Sequence, residues 1–372
     1  MDYYIRICEY HVGFFRADSF LDALKFLRRI IICSFGKINS DILNCFKLPE
    51  IEFLLQDIPL DATYPYFIVV AFFILSILII LVSRNAYEKM ENFKASEFDK
   101  TFGVSSVKVP FSGGSYKEIN DHLKIALESN PKIKMILRCL DYNRILDPPD
   151  EMRYEESNYP RYLYDKIYYN DVKYILNKTV LFHDTISVIK YTRNGGMTTD
   201  FDTYSNWMDS CIFGKDAVDA TYTREKKVEK SLPITGEDYK NITENVTRNV
   251  TNLADKYPET EFYLFFSPYS IYFWDSLNQA GALERQLEAE KYMIELLLQH
   301  ENIHIFSFFT EYGMICDLNN YKDIAHYSEN INSQILHWMN QGIHELTNEN
   351  YKKYCESVQK FYKNYNYDSL FE

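Results

Sequence analysis

The sequence predicts an α/β fold, with a parallel sheet between helical layers, preceded by a transmembrane helix. Three observations carry this expectation. Short apolar or β-branched runs alternate with amphipathic helical stretches from residue 104 onward, the order that puts parallel strands in one sheet with helices on its faces. Polar groups stand at the carboxyl ends of those runs, where open α/β sheets gather their chemistry. From Tyr64 to Ser83 the chain carries no charge, and its length is close to the roughly 20 residues a helix needs to span a bilayer.

Composition bounds the function classes. An apolar content of 47% and a charged content of 25% belong to a chain that folds. The 32 Tyr and 26 Phe can fill a core, and they also suit carbohydrate surfaces. A net charge of -13, with no dense basic block, argues against a nucleic-acid binder. The seven Cys are odd in number and include no C-x-x-C, so they suggest neither a disulfide framework nor a zinc site. The eight His include no H-x-x-x-H pair. No metal and no cofactor are expected.

Residues 1–62 have a texture of their own. Ser19 can cap a helix from about Phe20 to Cys33, whose apolar positions Leu21, Leu24, Leu27, Ile30 and Ile31 interleave with Lys25, Arg28 and Arg29. That amphipathic helix lies on a membrane surface or packs on a neighbour. The span at 64–83 follows, with Tyr64 and Tyr66 where an interfacial aromatic belt would sit. Basic residues precede the span, but Glu50, Glu52, Asp57 and Asp61 adjoin it and Arg84, Lys89 and Lys94 follow. The flanking charges disagree about orientation.

The globular part covers 84–372. Val104–Val109 is β-branched and reads as a strand, and Pro110–Ser115 reads as a turn. A helix is expected from about Tyr116 to Ser129, stopped by Asn130-Pro131. Ile133–Leu140 is a near-continuous apolar run, as in a central strand covered on both faces, and it ends in Asp141-Tyr142-Asn143. Residues 147–235 form an insertion over the sheet. A helix from about Glu237 to Tyr257 leads into the strand Glu261–Phe266, which ends at Ser267-Pro268-Tyr269-Ser270. A helix over about Leu283–Gln299, a strand at Ile303–Phe309 and the segment Tyr321–Ser328 follow, before a helix over Glu329–Met339.

Within Tyr321–Ser328, Asp323 stands three residues before His326. A carboxylate at that spacing can reach a ring nitrogen of the His, fix its tautomer and leave the other nitrogen to take a proton. At the Phe111-Ser112-Gly113-Gly114-Ser115 turn, backbone N–H groups of Gly113 or Gly114 can face a developing oxyanion, since glycine lets the backbone approach closely. Asn143 can add a side-chain donor. The hydroxyls available as a nucleophile are Ser115 and Ser112, and Ser83 if the apolar run that it ends is the first strand of the sheet instead of a membrane span.

From about Glu91 to the C-terminus the chain resembles the SGNH (GDSL-like) hydrolase superfamily. Within it, the chain looks like membrane-anchored members from Gram-positive bacteria found in or near cell-surface polysaccharide gene clusters. The resemblance rests on Glu91–Asp99, Phe111–Ser115, Leu140–Asn143, Asn206-Trp207, Ser267–Ser270 and Tyr321–Ser328. It implies a flavodoxin-like three-layer sandwich that hydrolyses esters or transfers acyl groups on acylated glycans. It also implies a single-pass membrane protein with an extracytoplasmic domain, in which His326 is the general base and Asp323 orients it. One departure stands out. Where the family carries its nucleophile on a G-x-S turn, this chain reads Arg84-Asn85-Ala86-Tyr87-Glu88-Lys89-Met90. Either the nucleophile comes from elsewhere, or the domain binds glycan without chemistry, or a rearranged N-terminal region has left it inactive. A further reading gives the working role to residues 1–62.

Overall fold

The computed structural model describes residues 89–111, 113–153, 161–163, 171–175, 177, 180, 182, 185–196 and 200–371. The expected helix at 20–33, the expected span at 64–83, and Ser83 and Ser112 lie outside the described residues. Among the described residues no helix is long and apolar enough to cross a membrane. The chain divides into two compact units, Met1–Asn85 with Glu156–Thr198, and Ala86–Glu155 with Thr199–Glu372. Residues 156–198 of the expected insertion thus group with the first unit and the remainder with the second.

The second unit opens with helix α1 (Ala95–Phe102), ended by Gly103 in the left-handed conformation at φ 67. Helix α2 (Tyr116–Ser129) begins at a complete capping box, with Ser115 Oγ accepting from Glu118 N–H and the Glu118 carboxylate accepting from Ser115 N–H. Strand β1 (Met135–Leu140) follows. The first unit contributes the short helices α3 (Val172–Ile175) and α4 (Thr185–Arg193). The second unit resumes with α5 (Lys215–Thr221), α6 (Gly236–Val246), a π turn over Thr247–Thr251, and α7 (Asn252–Lys256). Then come β2 (Glu261–Phe266), α8 (Ile271–Gln279), α9 (Leu283–Leu297) and β3 (Ile303–Ser307). Helices α10 (Tyr312–Cys316) and α11 (Glu329–Asn340), strand β4 (Glu345–Leu346) and helix α12 (Tyr351–Asn364) complete it.

The sheet order is β1-β2-β3-β4. The first three strands are parallel, and the two-residue β4 is antiparallel to β3. Register and alternation assign the faces. Tyr263, His304 and Phe306 share one face, where Phe102 of α1 meets Tyr263 edge-on at 5.7 Å. Arg138, Leu264 and Ile305 line up on the other. There Arg138 reaches Tyr116 O of α2 and Asn249 O of the π turn, and Ser307 reaches Glu290 of α9. Helices therefore lie against both faces, as the alternation of elements predicts.

Three expectations need correction. Val104–Val109 is not a strand. Among the described residues the segment joins no sheet, and Val107 is 70% and Val109 74% exposed. β-branched residues favour extended backbone, but a strand is stabilised by its pairing strand, and no described strand pairs with this segment. The run at Ile133–Leu140 starts at Met135 and has one described neighbour, β2, so it is not central among the described strands. An apolar run reports helical cover on both faces, not the number of flanking strands. The helix expected over 237–257 is interrupted by the π turn.

That turn has identifiable partners. Asn241, Asn245 and Asn249 fall four residues apart and donate to Leu146 O, Asp147 O and Pro149 O at 3.3, 2.8 and 2.8 Å. This ladder clamps the loop that follows Asp141–Asn143. Asn245 and Asn249 are buried. Arg138, also buried, donates to Asn249 O at 2.7 Å and to Tyr116 O at 3.1 Å. The π turn supplies a carbonyl for it, since widening a helix frees backbone acceptors. Burial pushes the Arg138 guanidinium down to about 10, so it stays charged at neutral pH.

Candidate active site

A backbone bridge between Tyr321 and Tyr327, with Lys322 N–H donating to His326 O at 3.0 Å, closes a tight loop over 322–326. Inside it, Asp323 Oδ1 accepts the backbone N–H groups of Ala325 and His326, each at 2.9 Å. His326 Nδ1 lies 2.8 Å from both Asp323 oxygens. A carboxylate accepts and cannot donate, so the Nδ1 proton points at Asp323, and in the neutral ring Nε2 carries the lone pair. Burial pushes the Asp323 carboxyl up. The His326 hydrogen bond and charge, the Ala325 N–H and Lys322 outweigh that and hold it well below the usual carboxylate range. The carboxylate thus reaches a ring nitrogen across three residues.

Hydrogen bonds tie this loop to the ends of the strands. Ser270, the N-cap of α8, donates from both N–H and Oγ to Ile324 O, at 3.1 and 2.9 Å. Tyr321 OH donates to Pro268 O at 2.8 Å. Ser267 Oγ lies 3.1 Å from both Tyr327 OH and Cys139 Sγ. Tyr269 OH donates to Asp141 Oδ1. The segments that end β1 and β2 and the loop beyond α10 thus meet at one end of the sheet. Ser267 and Ser270 are fully buried and serve as its wall.

The glycine turn joins through Arg144, whose Nη2 donates to Gly113 O at 3.3 Å beside Asn143. Gly113 sits at φ 65, which only glycine adopts without strain, and its N–H makes no hydrogen bond to a described residue. Asn143 is exposed and its side chain likewise bonds no described residue. Two expectations fail here. Gly114 N–H is not an oxyanion donor, because it is committed to Phe111 O at 3.1 Å in the turn. A Cβ at Gly114 would meet the Phe111 ring at 2.3 Å, so glycine is required there by packing. Ser115 is not placed as a nucleophile. It is 3% exposed, and its only side-chain hydrogen bond among the described residues is the cap to Glu118.

Residues outside the expected set frame the pair. The Trp207 ring stands edge-on to His326 at 5.8 Å, and the Lys322 ammonium lies 5.2 Å over the same ring. Lys322 Nζ also pairs with Asp323 Oδ2 at 2.9 Å. Asn92 Oδ1 accepts Trp207 N–H at 3.2 Å. Only the folded chain brings Asn92 and Trp207 to this pair. Lys322 adjoins the acid in sequence, which was the available signal for it. Among the described residues no group of His, Cys, Asp and Glu is arranged to hold a metal ion. No protein-family model matches the chain, and no curated protein or solved structure matches it either.

Proposed function

We propose that residues 84–372 form a flavodoxin-like domain of the SGNH type that cleaves or transfers acyl esters on cell-surface glycans. In this reading residues 64–83 anchor it to a membrane and the domain faces outward. The observation that carries the chemistry is the His326 Nδ1 contact with both oxygens of Asp323. It fixes the tautomer in which Nε2 is a base, and it supports the imidazolium once a proton arrives. The reaction then runs in two halves. A hydroxyl attacks the ester carbonyl while His326 Nε2 takes its proton, and the C–O bond to the leaving alcohol breaks as the imidazolium returns the proton. Water or a second sugar hydroxyl reverses these steps on the acyl intermediate. Gly113 N–H and the Asn143 amide are the donors assigned to the oxyanion. The glycan and the membrane side come from the family resemblance.

With Ser115 engaged as a helix cap, the nucleophile is assigned to Ser112. A second reading, a non-catalytic glycan-binding domain on the same fold, is favoured by that cap and by the replaced turn at Arg84–Met90. Treating the purified full chain with a fluorophosphonate probe and mapping the labelled peptide separates the two. Labelling at Ser112 that vanishes in His326→Ala supports the esterase. A folded, monodisperse chain that stays unlabelled and binds an acylated glycan supports the binding domain.

A further inference from the structure

We propose that Lys322 is a positioning residue that, clamped against Trp207, shares the Asp323 carboxylate with His326 and keeps the imidazole in its basic form. The inference rests on reading Asp323–His326 as the general-base pair.

The geometry is specific. Asp323 Oδ1 is occupied by the N–H groups of Ala325 and His326 and by His326 Nδ1, whereas Oδ2 is shared between His326 Nδ1 and Lys322 Nζ. Lys322 and His326 therefore flank one carboxylate from opposite sequence neighbours. Both also touch one ring, Trp207, with the ammonium over its face and the imidazole at an interplanar angle of 86°. Trp207 is itself fixed from behind by Asn92 and stacks against Phe213 at 6.3 Å. The Lys322 side chain is only 11% exposed, so its charge is weakly screened by water. An ammonium over an indole face is favourable, which holds the charge at this spot instead of letting it swing into solvent.

The chemical consequence follows from charge. A carboxylate in contact with an imidazole favours the charged form of the ring. A second cation on the same carboxylate opposes that charge while preserving the hydrogen bond that orients the ring. Lys94 pairs with Glu329, at the start of α11, at 3.0 Å. Glu329 also accepts from Asn206, next to Trp207, at 3.5 Å.

The test is an NMR titration of the full chain with isotope-labelled histidine, the His326 signal being assigned by its loss in His326→Gln. In Lys322→Met the His326 midpoint should move up by about one pH unit, the size expected for losing a partly screened charge a few ångströms away. Lys322→Arg should leave it within about 0.3 unit, since Arg keeps the charge and the donors. If Lys322→Met does not fold, Lys322→Gln gives the same readout. An unmoved or lowered midpoint in a folded neutral variant overturns the proposal. The titration needs no substrate. A chain that the fluorophosphonate probe never labels, but in which the midpoint shifts as described, would overturn the esterase reading and leave this inference standing.

Discussion

Tyr354 of α12 donates a 2.8 Å hydrogen bond to Glu290 of α9, and the carboxyl it meets is buried. Ser307 Oγ, at the end of β3, bonds both groups. This buried trio joins two helices to the sheet. Burial pushes the Glu290 carboxyl up to about 8, against lowering by its hydroxyl donors, so it is protonated at neutral pH.

A stability profile follows from that shift. In the unfolded chain a Glu titrates near 4.3, so between roughly 4.3 and 8 the folded chain binds a proton that the unfolded chain has released. Glu290 therefore contributes most below the unfolded value, and that contribution is lost as pH rises through the folded one. The slope from this group is on the order of 1 kcal/mol per pH unit. Urea unfolding at pH 5, 6.5 and 8 should show the decline. Glu290→Gln should flatten it and make the variant the more stable form at pH 8. A profile of equal slope in both proteins would show that the group does not hold its proton.

Asp323 has the opposite sign. Its folded value is depressed, so its contribution is present above the unfolded value, near 3.9, and is lost as pH falls below it. Asp323→Asn should remove that part of the acid sensitivity. It should also lower the rate of fluorophosphonate labelling by about 100-fold, the low end for a disabled general base. Unchanged labelling in the Asn variant would show that His326 does not depend on its partner.

The pair at Asp323 and His326 was legible because three residues of sequence set its geometry. The helix at Tyr116–Ser129 was legible for the same reason, since its cap and its stop are local. What remained hidden depends on distant neighbours. Val104–Val109 has strand composition but joins no sheet among the described residues, and no local pattern encodes that. Trp207 meets His326 across more than a hundred residues of chain. Ser115 beside two glycines fits a nucleophile turn and a capping box equally well, and Glu118 three residues on was the feature that favoured the cap.

The cap gives a direct discriminator. Ser115→Ala should cost about 1 kcal/mol of stability, the usual value for a lost N-cap. Ser115→Asp should recover most of it, because an Asp oxygen accepts the same N–H groups. Neither change should reduce fluorophosphonate labelling. A folded Ser115→Ala chain that lost its label would return the nucleophile to Ser115.

The asparagine ladder can be tested by charge at constant shape. Asn249 Nδ2 donates to Pro149 O and, at 3.0 Å, to Asn245 Oδ1, all in the interior. Asn249→Ala leaves these acceptors unsatisfied, which costs about 1–3 kcal/mol for a buried group. Asn249→Asp keeps the size but replaces the donor with a carboxylate oxygen facing two other oxygens. Buried, that group must either bear an unpaired charge or take up a proton, so the Asp variant should melt below the Ala variant despite its closer shape. Lowering the pH toward 4 should narrow the gap, because a protonated Asp regains one donor. If the two variants melted together at pH 7, the amide would be facing water, and the clamp on the loop after β1 would have to come from elsewhere.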